Sequence, residues 1–236
     1  MNEQRQIILN NIRRSLGRSG PMDKEKISAL KDRLTSPKRN LIPERTSLTS
    51  SDLITLFKDM AEGVFASVEE VDRLSDIPRA ITSYLKKENL PSQVVMSSDE
   101  VLDSVPWEEQ PLLGISKRIP EKDDMVSVTS AAVGVAETGT LAMFSGPDHP
   151  STLNFLPETH VVVLPKDRVA KSYEDVWDMI RNNTAMGDRN EKKEMPRTVN
   201  FITGPSRSGD IEQTLLLGAH GPRRLHIILV DSKETN

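Results

Sequence analysis

The stretch His160–Val–Val–Val–Leu164 decides the fold class. Val161, Val162 and Val163 are β-branched, and branching at Cβ suits the pleated backbone better than the helix. Pro157 and Pro165 bracket the run, and neither residue fits the interior of a regular element. The run therefore reads as a short buried strand.

The chain alternates on both sides of it. Toward the C-terminus, Tyr173 to Ile180 reads as a helix, Thr198 to Thr203 as a strand, Asp210 to Leu217 as a helix and Leu225 to Val230 as a strand. Toward the N-terminus, Thr140 to Phe144 reads as a strand. Met125 to Thr129 alternates like a half-buried one, and Val94 to Met96 is a short apolar run. Pro78 opens a helix that runs to Lys87, proline being at home in a first helical turn. Leu53, Leu56, Phe57, Met60 and Val64 share one helical face, with Ser51 or Asp52 as the cap. Strand–helix–strand order predicts an α/β fold, a largely parallel sheet flanked by helices.

The first fifty residues differ in character. Ile8, Ile12 and Leu16 recur every fourth residue in a helix over 4–17 decorated by Arg5, Arg13 and Arg14. The stripe is short and lacks Trp or Phe, which favours packing on protein, its own domain or another subunit, over a membrane surface. Gly17, Gly20, Pro21, Pro37 and Pro43 then punctuate a charged linker that holds a short helix over Lys24 to Leu34. This divides the chain into an N-terminal helix and linker, 1–50, and an α/β domain, 51–236.

Composition narrows the function. The formal net charge is −4, so there is no basic footprint for nucleic acid. There are no cysteines, which excludes disulfides, thiolate zinc sites and cysteine-ligated iron–sulfur clusters in this chain. The arginine-studded start lacks the apolar stretch of a signal peptide, and no segment reaches the apolar length of a membrane span, so the chain reads as cytoplasmic. His149, His160, His220 and His226 form no metal-ligand spacing, and there is no Walker loop, GxGxxG or GxSxG. No cofactor is expected in this chain.

Two segments carry candidate chemistry. In Phe201–Ile–Thr–Gly–Pro–Ser–Arg–Ser–Gly–Asp–Ile–Glu212 a strand ends, a Gly204–Pro205 turn follows and a helix begins near Asp210. Ligands of open α/β sheets bind beyond the carboxyl ends of strands, and a helix start presents free N–H groups to an anion. Arg207 adds a planar donor fork for carboxylate or phosphate, and Ser206 and Ser208 add hydroxyls. An ordinary turn capped by Ser208 or Asp210 fits the same residues, and Asp210 would repel an anion that it faced. In Val135–Ala–Glu–Thr–Gly–Thr–Leu141, Gly139 allows close backbone approach, and Glu137 has the chemistry of a base, nucleophile or hydroxyl binder. A strand-connecting turn with a solvated Glu137 is the plainer alternative. Gly218–Ala–His–Gly–Pro222 reads as an αβ loop, which places His220 at the sheet end opposite the ligand loops.

The blocks VAETGTL, LPETHVVVLP and FITGPSRSGDIEQTLLLGAHGPRRLHIILVD, in this order between about Val126 and Asp231, resemble the lactate utilization protein C family and its LUD domain. One departure is visible: Ser208–Gly209 stands where the longer motif has Thr-Ala. The resemblance implies a fold similar to the sugar-isomerase and CoA-transferase-like α/β group. It also implies a part in oxidising L-lactate to pyruvate, with two partners that resemble iron–sulfur oxidoreductase subunits. On that reading Glu137 is the candidate catalytic residue, and Thr138, Gly139, Thr140, Gly204, Ser206 and Arg207 bind a small organic anion or a partner loop. Two rivals stay open: a stand-alone isomerase or acyl-transfer type enzyme using Glu137, and a regulatory protein that binds an organic acid without turnover. Self-association into a homo-oligomer is open as well.

Overall fold

The computed structural model describes residues 2–18, 23–182, 195–208, 216–218 and 220–231. The chain divides into two units, Met1–Leu41 and Ile42–Asn236.

The first unit carries two helices, α1 (Asn2–Ser15) and α2 (Lys24–Thr35), where the sequence predicts them. Asp23 caps α2 by accepting the Glu25 backbone N–H. Ile8, Ile12 and Leu16 are exposed.

The second unit begins with α3 (Ser50–Gly63). Its cap is Thr49 rather than Ser51 or Asp52. The Thr49 hydroxyl accepts the Asp52 backbone N–H at 3.3 Å and donates to the Asp52 carboxylate at 2.6 Å, so Asp52 answers the cap from inside the first turn. Leu53, Phe57 and Ala61, four residues apart, are buried. Then follow β1 (Ser67–Val71), α4 (Ile77–Lys87), β2 (Gln93–Met96), α5 (Glu100–Asp103), β3 (Gly114–Ser116) and β4 (Val126–Ser130). The chain continues with β5 (Val133–Val135), β6 (Thr140–Phe144), α6 (Thr152–Phe155), β7 (Thr159–Pro165), β8 (Val169–Ala170) and α7 (Tyr173–Arg181). It closes with β9 (Val199–Ile202), β10 (Arg207–Ser208), β11 (Leu216–Leu217) and β12 (Arg224–Val230).

Six strands build one sheet in the order β1-β12-β7-β4-β2-β3, and every neighbouring pair is parallel. β7 lies inside it, which explains an apolar run with no polar alternation. Val161 and Val163 join Ile228, Val230, Val126 and Val128 under α4 and α5. Val162 and Leu164 point the other way, to Phe57 of α3 and to Leu141 and Met143. Each of these side chains contributes roughly 1.5–3 kcal/mol by leaving water. β4 is buried along its whole length, not half-buried, because β2 and β7 flank it and both sheet faces are covered.

The alternation in sequence conceals a second sheet, ordered β8-β5-β6-β9. β5 and β9 run antiparallel to β6, while β8 is parallel to β5. Its outer side packs Val133, Val135 and Ala142 against Val176 and Ile180 of α7. β9, the strand before the Gly204–Pro205 turn, therefore belongs to this sheet and not to the parallel one. Of the helix expected over Asp210 to Leu217, residues 210–215 lie outside the described residues, and Leu216–Leu217 is extended, pairing antiparallel with Arg207–Ser208.

Candidate functional site

Two glycines bring the candidate loops to one place. Gly139 has φ +64° and Gly204 φ +73°, in the left-handed region that disfavours any side chain. A Cβ on Gly139 would overlap the backbone nitrogen of Ala61, and one on Gly204 would overlap the carbonyl oxygen of Val64. Both loops thus press against the end of α3 at a distance that only glycine permits.

Hydroxyls bind the two loops together. Thr140 Oγ1 lies 2.7 Å from Thr203 Oγ1, 2.7 Å from Thr138 Oγ1 and 2.9 Å from the Tyr173 hydroxyl. Thr138 meets the same tyrosine at 2.9 Å. Glu137 stands at the rim of this cluster, half-buried. Its backbone N–H donates to the Lys171 carbonyl, and its own carbonyl accepts Arg45 Nη2 at 2.9 Å.

Beside the cluster lies a cleft of about 280 Å³, walled by Gly204, Ser206 and Arg207 and by Asn154, His160 and His220. Glu137, Thr138, Gly139 and Thr140 do not line it; Thr140 reaches it through Thr203, which does. The cleft opens near the amino ends of β7 and β12, where His160 and Leu225 are each the second residue. The expected position beyond the carboxyl ends is not met, because the loop hangs from the second sheet and the strand-end rule concerns the parallel one.

His220 lies on the same side as Ser206, contrary to the αβ-loop reading. The Ser206 N–H donates to the Pro222 carbonyl at 2.8 Å, and the Gly218 N–H donates to the Ser206 carbonyl at 2.8 Å. The His220 N–H donates to Ser206 Oγ at 3.3 Å. The β10–β11 pairing returns the chain to where it left, so the two loops form one wall.

Arg207 is exposed, and its guanidinium sits over the Phe65 ring at 5.6 Å. It forms no ion pair among the described residues, which leaves its donor fork available. His160 is the opposite case, only 1% exposed. Its Nε2 meets Thr129 Oγ1 at 2.8 Å, while Nδ1 has no partner. Burial pushes its pKa down to about 3, with nearby His149 adding to the effect, so the ring is neutral. His149 Nε2 faces Asn154 Oδ1 at 3.2 Å, and burial lowers its pKa as well. His226 lies on the other face of the sheet, stacked on Tyr84 at 3.9 Å and bonded through Nδ1 to Ser67 at 2.8 Å. Among the described residues no cluster of three or more His, Asp or Glu is placed to hold a metal ion. No described helix is long and apolar enough to cross a membrane.

Sequence reasoning did not place Asn154, His160 or His220 in the site. A lone imidazole in a valine run was the one signal for His160. Asn154 had none.

Residues 124–230, from the residues before β4 to the end of β12, match the model of the LUD domain. The matched segment is similar to the LUD domain over 107 of the chain's 236 residues. It spans both candidate loops and the cleft. Over 203 residues the chain is 29% identical to lactate utilization protein C of Bacillus subtilis, covering 86% of this chain and 80% of that protein. Over 253 residues it is 26% identical to the protein of the same name from Halalkalibacterium halodurans, covering 99% of this chain and 100% of the relative. A third such protein, from Anoxybacillus flavithermus, is 34% identical over 107 residues, 45% of this chain and 44% of the relative. The crystal structure of a DUF162 family protein from Deinococcus radiodurans superposes with a TM-score of 0.56 at 20% identity, over 78% of this chain and 99% of that one. That similarity supports the fold.

Proposed function

We propose that this protein takes part in lactate utilization, as a cytoplasmic subunit of a system that oxidises L-lactate to pyruvate with iron–sulfur partner proteins. Its own part is to bind a small organic acid or a partner loop through Thr138–Thr140 and Gly204–Arg207, with Glu137 beside them. Residues 1–50 are an N-terminal extension to an α/β domain over 51–236, and the last of them, 42–50, pack on that domain. The observation that carries the reading is end-to-end similarity to proteins named lactate utilization protein C in a chain without a single cysteine. Oxidation takes two electrons and two protons from lactate, and an acceptor has to receive them. Thiolate-held clusters require cysteine, so they belong to other chains.

A deletion strain tests the reading. It should grow poorly on L-lactate and normally on pyruvate, in a background without a second lactate dehydrogenase. The purified protein should not reduce a dye with lactate, and adding the cysteine-rich partners should restore activity. Normal growth of that strain on lactate overturns the physiological role, and turnover by the isolated chain overturns the division of labour.

A further inference from the structure

Helices α1, α3 and α4 end on the same turn. A backbone N–H donates to the carbonyl five residues earlier: Arg18 to Arg13, Ala66 to Ala61 and Leu90 to Leu85. The residue before each donor has a left-handed φ, +64° at Gly17, +71° at Phe65 and +54° at Asn89. Glycine and asparagine are the residues that such a turn favours. A phenylalanine there sets its Cβ against the following carbonyl oxygen, so α3 ends under strain. Burial does not offset that strain. Phe65 is 61% exposed and belongs to none of the three buried apolar clusters. What its ring faces is the Arg207 guanidinium, 5.6 Å from the centroid. Arg207 is the one Arg or Lys among the described residues lining the cleft. The loop that carries it touches the same helix end, where a Cβ on Gly204 would overlap the Val64 carbonyl oxygen. Backbone strain of this kind persists where surrounding structure imposes it, and it collects at functional sites.

We propose that Phe65 is a positioning residue: its ring, held outward by the strained end of α3, fixes the Arg207 guanidinium at the cleft before an anion arrives. This rests on the reading that Gly204–Arg207 bind an organic acid, and adds the residue that orients the arginine. An exposed arginine loses rotamer freedom when it pairs with a carboxylate. Stacked on Phe65, Arg207 has given up part of that freedom before binding. A guanidinium stacks through its flat face, and its N–H donors lie in its own plane, so the stack leaves them open to a ligand. Glycine at position 65 would relieve the backbone and release the arginine. Stability and binding therefore pull this position in opposite directions, whereas a residue kept for the fold alone would lose stability on replacement.

The test uses the full-length protein with Phe65→Gly and Phe65→Trp, and L-lactate and pyruvate as probes. Phe65→Gly should melt about 2–4 °C above the parent, because glycine accepts the left-handed φ. In calorimetric titration the same variant should bind the probes about three- to tenfold more weakly, the cost of ordering one long side chain. Phe65→Trp keeps an aromatic face under the guanidinium and should bind within about twofold of the parent. With ¹⁵N-labelled arginine, the ring current of Phe65 should set the Arg207 Nε–H proton apart from that of free arginine. Phe65→Gly should return it to the free position, and Phe65→Trp should not. A Phe65→Gly variant that melts at or below the parent overturns the proposal, and so does an Arg207 resonance indifferent to residue 65. A parent that binds the probes and a glycine variant that binds them equally well keeps Arg207 in the site and removes Phe65 from it. A parent that binds neither probe removes the organic-acid reading, while the Arg207 resonance and the melting temperatures still decide whether Phe65 orients the arginine.

Discussion

The Oγ1 atoms of Thr140 and Thr203 lie 2.7 Å apart and join segments 63 residues apart in sequence. Thr140 also meets Thr138 and Tyr173, so one buried hydroxyl ties the β5–β6 turn, the end of β9 and the start of α7. Each hydroxyl has one proton to give and two lone pairs to receive, which allows the group to share its bonds. Thr140→Val removes the hub and should cost about 1–3 kcal/mol in urea unfolding. Thr140→Ser should recover most of it. A Thr140→Val variant as stable as the parent, beside a destabilised Thr140→Ser, would assign the effect to methyl packing instead.

The two glycines beneath α3 make a second prediction. Gly139→Ala and Gly204→Ala each place a methyl group on the helix backbone at a left-handed φ. Each should destabilise by at least about 2 kcal/mol, from conformational strain and overpacking together. Gly146→Ala, where a Cβ meets nothing, is the control. Thermal unfolding of the three variants decides it; three equal midpoints would mean that α3 yields freely.

Arg207 should separate binding from folding. Its exposed stack on Phe65 contributes no more than about 1 kcal/mol, so Arg207→Ala should unfold close to the parent. Loss of a charge-assisted bidentate bond should cost about 1.5–3 kcal/mol in carboxylate binding. Arg207→Lys should restore part of it, since an ammonium keeps the charge without the fork. Calorimetric titration that finds parent and alanine variant equal removes Arg207 from the site.

Acid should destabilise the protein through its buried imidazoles. His160 and His226 have pKa values pushed down by burial from 6.5 to about 3 and about 4. Between those values the unfolded chain takes up protons that the folded chain refuses. Stability from these groups is therefore complete above about pH 6.5 and is lost as the pH falls toward 4 and then 3. Melting temperatures measured from pH 7.5 to 4.5 should decline. His226→Phe, which keeps the stack on Tyr84, should make the decline shallower. An unchanged slope places the acid sensitivity elsewhere.

Residues 42–50 should matter more than the linker around them. Thr46 is buried, Arg45 donates to the Glu137 carbonyl and Thr49 caps α3. A truncated chain over 42–236 should unfold cooperatively. Starting at Ser51 should lower stability by about 1–3 kcal/mol, from the lost cap and the lost hydrogen bond. Calorimetric scans of both proteins test it, and equal midpoints would make 42–50 dispensable.

Much of the scaffold was legible in the residues. A valine run between prolines has one good home, the interior of a parallel sheet, and β7 is there. The four-residue spacing of Leu53, Phe57 and Ala61 specifies a one-faced helix, and α3 buries that face. Such patterns are local: periodicity records which side of an element leaves water, and glycine records where the backbone turns. Pairing is not local. Nothing in Val199–Ile202 states that it will run antiparallel to β6 rather than join β12, and nothing in Leu216–Leu217 states that it will bond to Arg207–Ser208. Those choices rest on contacts between residues far apart in the chain, and they alone carried His220 to Ser206 and His160 to the wall of the same cleft. The sequence by itself determined the parallel sheet, its helices and the absence of thiolate chemistry. Only the tertiary structure decided which side chains face one another across the site, because a hydrogen bond such as Thr140 to Thr203 is set by how the two sheets stack and leaves no period in the sequence.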